Sequence, residues 1–358
     1  MTLKLSGVSS SQGNENLLTD INFEFHPGKI YVLIGRTNAG KTTLMRTIAG
    51  LAEPDEGSIQ LNGSEVSEVP VWHRKISMVY QQFINYPNLN VLKNVMFPLL
   101  RDGKKKDEAK KIAEDMLGVV GLTKFMDRKP YELSGGQQQR VAIARALVRK
   151  ADVLLMDEPL MNLDYKLREQ LREEFKNLFR TDADSITLYA TTEPVEALIL
   201  GDEVLVMHEG KIIQTGAPYD VYCNPKNIAV AQVLNDPPMA ILNGKISSGT
   251  IQIGEANSIN LPSFLKDLNS GTYQVGIRPT DIHIGNKREI SAHGHVTLVE
   301  VSGSETFVYL DSNAGPLILQ IEGIHDYHIG QELQASFDCD YLFWFDEAGE
   351  LIKPGKVK

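Results

Sequence analysis

Apolar and polar residues alternate with a period of two near the N-terminus, most clearly from Ile21 to Phe25. Such alternation predicts β-strands that bury one face. Turn-forming pairs at Gly13-Asn14 and Pro27-Gly28 separate these strands. The run Ile30 to Ile34, apolar throughout, predicts a further strand, so we expect residues 1–34 to be mainly β-structure.

Later strands are short and apolar along most of their length. Ser77 to Gln81, Val153 to Asp157 and Ile186 to Ala190 are of this kind, which is typical of buried strands in an α/β sheet. Helical patterns separate them, including Thr43 to Leu51 and a mainly helical segment from about 83 to 130. The pattern therefore predicts an α/β domain over residues 1–235.

The last third of the chain changes character after Asn235-Asp-Pro237-Pro238, where two prolines without N–H groups end any helix. Short β-type runs recur beyond this linker, at Tyr273–Ile277, His295–Val301, Thr306–Leu310, Leu317–Ile321 and Tyr341–Phe345. Their spacing predicts a second, all-β domain over residues 236–358, either a small barrel or a sandwich.

The stretch Gly35 to Thr42 follows the apolar run Ile30 to Ile34 and precedes a helical pattern. It fits G-x-x-x-x-G-K-[ST], in which the backbone N–H groups of a glycine-rich loop and of the new helix surround phosphate oxygens. In this pattern Lys41 reaches the outer phosphates, and the hydroxyl of Thr42 holds Mg²⁺. The alternative is a plain turn between a strand and a helix.

Two other polar segments stand at element ends. Ser134-Gly135-Gly136 precedes a helix, where the serine is either a simple N-cap or part of a phosphate site. Asp157 and Glu158 end a strand at the position where α/β sheets bind ligands.

Composition and charge argue against several classes of protein, including nucleic-acid-binding and disulfide-rich proteins. The chain has 358 residues, of which 42% are apolar, and a formal net charge of -10, which argues against a nucleic-acid surface. Cys223 and Cys339 are too few for a disulfide framework. We expect no secretory signal and no membrane-spanning segment, because no apolar run is long enough.

Together these motifs resemble the ATP-binding subunits of ABC transporters over residues 1 to about 235. Gln81 matches the glutamine of the Q-loop, Leu133 to Gln137 match the LSGGQ signature, and Asp157 matches the Walker B aspartate. Glu158 matches the glutamate that activates the attacking water, and Asp164 belongs to the D-loop. The resemblance implies an α/β P-loop ATPase fold with a helical subdomain, working as a head-to-tail dimer.

The resemblance also assigns roles to individual residues. It implies Lys41, Gln81 and Glu158 as catalytic groups, and ATP and Mg²⁺ as substrate and cofactor. Thr42, Gln81 and Asp157 would hold the metal, with Asp157 acting through water. The implied nucleotide-binding residues are Gly35, Asn38, Ala39, Gly40, Lys41, Thr42, Thr43, Ser134, Gly136 and Gln137.

Two positions depart from the family pattern. Thr192, in the run Thr191-Thr192-Glu193-Pro194, stands where the family has its switch histidine, and a hydroxyl cannot carry the positive charge of an imidazole. Gln12 aligns with an aromatic residue that stacks on adenine. These two changes predict a site that binds nucleotide and hydrolyses it slowly.

In the second domain, Gly276-Ile277-Arg278-Pro279 resembles a motif of the OB-type barrels of carbohydrate importers. Such barrels also bind oligonucleotides or sugars, but the acidic charge favours a structural, regulatory or dimerising role here. His283, His293 and His295 have no nearby cysteine partner, which favours structural roles over a metal site.

The resemblance as a whole implies an ATPase that powers solute import from the cytoplasmic face of the cell membrane. Its implied partners are a second ATPase subunit, two transmembrane permease subunits and, indirectly, a solute-binding protein, with no nucleic acid. The cargo class is a sugar, polyol, glycerol or glycerol-phosphate, and the Thr192 run favours a glycerol importer with two different ATPase subunits. The alternatives are a homodimer of this chain, an ATP-gated structural or regulatory subunit with negligible turnover, and a non-transport ABC protein acting on nucleic acid.

Overall fold

The computed structural model describes residues 1–66, 69–161, 163, 165–180 and 184–357. Its contacts divide the chain into two compact units, Met1–Pro218 and Tyr219–Lys358. The short helices before the Asn235 to Pro238 linker thus cluster with the second unit. The domain boundary that we place at residue 235 stays a prediction from the sequence.

The first unit contains ten described strands and six described helices. The strands are β1 (Leu3–Gln12), β2 (Glu15–Phe25), β3 (Ile30–Ile34), β4 (Glu56–Leu61), β5 (Ser64–Glu65), β6 (Ile76–Val79), β7 (Val153–Asp157), β8 (Ile186–Thr191), β9 (Glu203–His208) and β10 (Lys211–Gly216). The helices are α1 (Lys41–Ala49), α2 (Val91–Arg101), α3 (Lys106–Val119), α4 (Gly135–Leu147), α5 (Tyr165–Arg180) and α6 (Pro194–Leu200).

These strands form two sheets. An antiparallel sheet has the order β2-β1-β4-β5, and a six-stranded sheet has the order β10-β9-β3-β8-β7-β6. Within the larger sheet β6, β7, β8, β3 and β9 are parallel, and β3, β7 and β8 are buried at every residue. This buried, mainly parallel sheet confirms the predicted α/β architecture. Its central strands are apolar because helices or other elements cover both of their faces.

The parallel direction determines where the site lies. Ile34 at the end of β3 pairs with Thr191 of β8, and Ala190 of β8 pairs with Asp157 at the end of β7. The carboxyl ends of three neighbouring strands therefore meet at one edge of the sheet. In open α/β sheets this edge is where ligands bind.

The predicted helical segment, about residues 83–130, shares a core with α4. Helices α2, α3 and α4 pack around buried aliphatic side chains that include Val95, Leu99, Leu117 and Val141. Asn90 directly precedes helix α2, and its side chain accepts a hydrogen bond from the backbone N–H of Lys93, as expected for an N-cap.

The second unit is mainly β-structure, which confirms the predicted all-β domain. It contains α7 (Pro218–Cys223), α8 (Ile228–Val233), β11 (Ala240–Ser247), β12 (Thr250–Ile253), β13 (Ile259–Asn260), β14 (Gly271–Ile277), β15 (His283–Ile284), β16 (Ile290–Ser302), β17 (Glu305–Ser312), β18 (Gly315–Glu322), β19 (Glu332–Phe337), β20 (Phe343–Phe345) and β21 (Leu351–Lys353). Two antiparallel sheets, β13-β12-β11-β14-β20-β21 and β15-β19-β16-β17-β18, enclose one aliphatic core. The strand predicted from Tyr341 begins only at Phe343, because residues 339–341 form a 3₁₀ turn.

Arg278, from the motif at Gly276 to Pro279, is an interior residue of this unit. Only 2% of its surface is exposed. Its guanidinium lies 3.9 Å from the ring centre of Tyr222 and 4.5 Å from that of Phe343, and it donates a 2.7 Å hydrogen bond to the carbonyl of Tyr222. Arg278 thereby attaches α7 to β20.

Candidate functional site

The loop Gly35 to Thr42 joins β3 to α1 in a conformation that depends on glycine. Gly40 has a φ of 100°, and a Cβ there would lie 2.8 Å from the carbonyl oxygen of Leu17. A Cβ at Gly35 would lie 2.5 Å from the carbonyl oxygen of Met207. Both contacts are closer than real side chains allow. The loop therefore packs with its backbone directly against the neighbouring strands, at the start of α1.

Lys41 is the first residue of α1, and its ammonium lies inside the site. Only 4% of the residue is exposed. Nζ donates to the carbonyl oxygens of Gly35 at 2.8 Å and Arg36 at 3.2 Å, and it lies 3.3 Å from Oε1 of Glu158. Burial lowers the pKa of Lys41, and the nearby carboxylate of Glu158 opposes that effect.

Thr42 and Asp157 are joined by a hydrogen bond between neighbouring elements. The Thr42 hydroxyl donates to Oδ1 of Asp157 at 3.1 Å. Burial raises the pKa of Asp157, while the Thr42 hydrogen bond acts against the shift. The Thr42 hydroxyl and the Asp157 carboxylate lie together here, and the Gln81 amide lines the same cleft as Thr42. Hydroxyl, carboxylate and amide oxygens are the hard ligands that Mg²⁺ prefers. The residues present therefore fit the predicted metal.

Glu158 is held from two sides directly after β7. Its carboxylate accepts a 3.0 Å hydrogen bond from Nε2 of Gln81 as well as the contact with Lys41, and its backbone N–H donates to the carbonyl of Ala190 at 3.0 Å. Its φ of 47° lies in the left-handed region, which is unfavourable for a residue with a side chain. The surrounding contacts thus fix this carboxylate in one position.

These residues line a cleft of about 840 Å³. The lining includes predicted site residues that follow β3, β6, β7 and β8, namely Asn38, Ala39, Gly40, Lys41, Thr42, Thr43, Gln81, Glu158 and Thr192. Gly35 and Asp157 lie beneath the lining and hold Lys41 and Thr42. Gln12, which aligns with the adenine-stacking aromatic, pairs with Glu15 across the β1–β2 turn. The described residues of this region that line the cleft are Glu15, Asn16 and Leu17, and Gln12 is not among them.

The signature segment, Leu133 to Gln137, lies at the start of α4. Ser134 is the N-cap of that helix: its hydroxyl accepts from the Gln137 N–H at 3.4 Å, and its own N–H donates to the Gln137 side chain at 3.0 Å. Ser134 and Gly135 are exposed, and Gly136 packs closely against Leu163. Among the described residues, the lining of the cleft includes none of Ser134, Gly136 and Gln137. Asp164, the predicted D-loop residue, lies outside the described residues.

A network around Thr192 was not predicted. Oε2 of Glu196 accepts hydrogen bonds from the Tyr189 hydroxyl at 3.0 Å and the Thr191 hydroxyl at 2.6 Å. Arg168 of α5 lies 3.3 Å from the carboxylate of Glu193. The feature of the sequence that could have indicated this network is an acidic residue, Glu196, inside the otherwise apolar run Pro194 to Leu200.

Comparison with known families gives two matches. The sequence model of the ABC transporter family matches residues 18–161, and that of the TOBE domain matches residues 275–345. A solved dimeric ATP-binding cassette in a post-hydrolysis state, bound to ADP and Pi, is similar with a TM-score of 0.56 and 29% identity, covering 60% of this chain and 98% of that one. No described helix is long and apolar enough to cross a membrane.

Curated relatives are similar along nearly the whole chain. The oligosaccharides import ATP-binding protein MsmX of Bacillus subtilis is 36% identical and covers 94% of this chain and 95% of its own length. The trehalose/maltose import ATP-binding protein MalK of Thermococcus litoralis is 35% identical, with 96% and 97% covered. The sn-glycerol-3-phosphate import ATP-binding protein UgpC of Psychromonas ingrahamii is 34% identical, with 96% and 94% covered.

Proposed function

Since this chain belongs to the ATP-binding subunits of ABC transporters that carry a C-terminal TOBE domain, we propose that its cleft binds ATP with Mg²⁺ and hydrolyses it to power solute import. The observation that carries the proposal is the cluster of Lys41, Glu158 and Gln81 beside the phosphate loop. In this cluster a buried cation, a fixed carboxylate and a polar amide face one cleft.

Each side chain has a defined task in this mechanism. Lys41 and the N–H groups at the start of α1 bind the phosphates and neutralise their charge. Thr42, Gln81 and Asp157 would hold Mg²⁺, which neutralises phosphate charge when bound. Glu158 accepts the proton of the attacking water as general base. Its two contacts, with Lys41 and Gln81, keep the carboxylate directed into the cleft.

The exposed signature segment supports the proposal that the working unit is a dimer. Ser134 and Gly135 present the N-terminus of α4 to solvent, where the positive end of the helix dipole favours an anion. In a head-to-tail pair this segment closes the cleft of the partner subunit. We favour a different ATPase chain as partner, because Thr192 lines this cleft at the switch position.

The class of cargo is proposed from the relatives. Their names specify oligosaccharides, trehalose or maltose, and sn-glycerol-3-phosphate. We therefore propose a sugar, polyol, glycerol or glycerol-phosphate as the imported solute, with substrate contacts made by permease and solute-binding subunits.

We propose two permease subunits as partners, at the cytoplasmic face of the membrane. The observation in favour of this is a groove of about 310 Å³ in the first unit. Tyr80, Tyr86, Phe97 and Trp72 line it, and each is at least 37% exposed. The Arg145 guanidinium lies 4.8 Å from the Tyr86 ring centre and keeps that ring in place. The groove suits a short amphipathic helix that inserts apolar side chains.

The test is to purify the tagged chain from membranes, identify what co-purifies, and measure ATP hydrolysis by the chain alone and by the recovered complex. We expect permease subunits in the eluate and ATP turnover in the complex. A self-dimer without any membrane subunit would contradict the proposal. The Thr192 position supports one alternative, an ATP-gated structural or regulatory subunit with negligible turnover. That alternative predicts the same partners, with turnover in the complex unaffected by Glu158→Gln in this chain, because the change removes the base and keeps the nucleotide-binding residues.

A further inference from the structure

The residues on both sides of Thr192 are held by hydrogen bonds, one buried and one partly buried. Thr191, which is 2% exposed, donates through its hydroxyl to Glu196 at 2.6 Å and accepts from the backbone N–H of Glu193 at 3.0 Å. One hydroxyl thus bonds both to the helix that follows the loop and to the loop backbone just after Thr192. The position of Thr192 is therefore set by its neighbours.

Glu196 is the buried acceptor to which the hydroxyl of Thr191 is bonded. It is 3% exposed, and two hydroxyls, from Tyr189 and Thr191, donate to the same carboxylate oxygen. Burial raises the pKa of Glu196, while the hydrogen bonds from Thr191 and Tyr189 act against that shift. A buried carboxyl group is costly unless its partners keep their geometry, so this network resists displacement.

A second support comes from a different element. Arg168, in the first turns of α5, lies 3.3 Å from the carboxylate of Glu193. The side chains are 23% and 44% exposed, so the pair is weaker than the buried network. It nevertheless connects the loop to α5, which begins at Tyr165.

We infer that Thr191, Glu196 and Tyr189, assisted by the Arg168 and Glu193 pair, are positioning residues that direct the Thr192 side chain into the cleft toward the terminal phosphate of a nucleoside triphosphate. This inference rests on the proposed function, since it assigns a role within the same site. Its direct consequence is discrimination between a nucleoside triphosphate and a diphosphate, because only the triphosphate reaches Thr192.

The test compares the affinities of the full-length chain for MgATP and MgADP. Thr191→Val removes the hydroxyl and keeps the shape, whereas Thr191→Ser keeps the hydroxyl and is the matched control. Thr192→Val measures the contribution of the switch threonine itself. We expect Thr191→Val and Thr192→Val each to weaken ATP binding by about fivefold, the effect of one lost hydrogen bond. ADP binding should not change, and Thr191→Ser should behave as the wild type.

Glu193→Gln keeps the test decisive if Thr191→Val fails to fold. It alters a half-exposed side chain, and we expect a loss of about twofold for ATP alone. Equal effects on ATP and ADP, or no effect of either Thr192→Val or Thr191→Val, would overturn the inference. A wild-type chain that binds neither nucleotide would instead overturn the proposed function, so the two failures are distinguishable.

Discussion

At the scale of single residues, Lys41 shows how burial and charge combine in this site. Its ammonium is surrounded by the carbonyls of Gly35 and Arg36 and the carboxylate of Glu158. A charge so placed loses hydration but gains three oxygen partners. In the proposed site the same ammonium would make charge-assisted hydrogen bonds with phosphate oxygens.

We expect Lys41→Ala to weaken ATP binding by about tenfold or more, because hydrogen bonds to charged groups are stronger than neutral ones. Turnover at this chain's own site should be lost. Nucleotide titration and a phosphate-release assay measure the two effects. Lys110→Ala, at an exposed lysine paired with Glu114 on α3, is the control and should leave both values unchanged. Unchanged affinity in Lys41→Ala would refute the assigned role of the loop.

Arg278 provides a prediction about stability. Arg278→Ala removes contacts with two aromatic rings and a hydrogen bond to the Tyr222 carbonyl, so we expect the free energy of unfolding of the second unit to fall by about 3 kcal/mol. Arg288→Ala, at an exposed arginine that pairs with Asp338, should cost less than about 1 kcal/mol. The buried Trp344 reports denaturant unfolding by fluorescence if Trp72, the other tryptophan, is first replaced by Phe. Equal costs for both arginines would show that the stacking is not stabilising.

At the scale of elements, the groove beside α2 is the proposed docking site for a permease subunit. The Tyr86 ring packs on Phe97 with 4.6 Å between centres, while Phe83 is half-buried near Gly135. The double change Phe83→Ala, Tyr86→Ala should reduce both assembly with the permease and transport, since it removes aromatic anchors. Pull-down of the permease and uptake into vesicles are the measurements. Tyr219→Ala, at an exposed tyrosine of the second unit, is the matched control. If the double variant assembles and transports normally, these side chains serve only packing.

Elements with strong local signals were predictable from the sequence. The strand Val153–Asp157 has its predicted bounds, because a wholly apolar run ends at a carboxylate. The glycine-dependent connection from β3 to α1 was predictable, because close backbone contacts at Gly35 and Gly40 leave no room for a side chain. Its role in binding phosphate stays a prediction. The Glu196 network and the stacking of Arg278 were missed, since both depend on which side chains the sheets bring together. The 3₁₀ turn at residues 339–341 also lacks a periodic signal.

At the scale of the whole molecule, the proposed heterodimer has two unequal sites. The cleft of this chain includes Thr192, whereas the partner's cleft would borrow this chain's Ser134. Ser134→Arg should therefore damage transport more than Glu158→Gln, which removes the base only from the slower site. Thr192→His should not reduce activity. Hydrolysis and uptake by the reconstituted complex measure all three. If Glu158→Gln is as damaging as Ser134→Arg, Thr192 belongs to a fully active site.

In the proposed head-to-tail pairing, the exposed position of Ser134 at the start of α4 would also limit ATP hydrolysis by free subunits. If each complete site needs parts of two chains, the rate of hydrolysis by free subunits rises with the square of their concentration. Diluting the free chains twofold should then lower the rate per volume fourfold. Subunits made in excess of their membrane partners would remain nearly idle, and ATP would be used mainly where a permease brings two chains together.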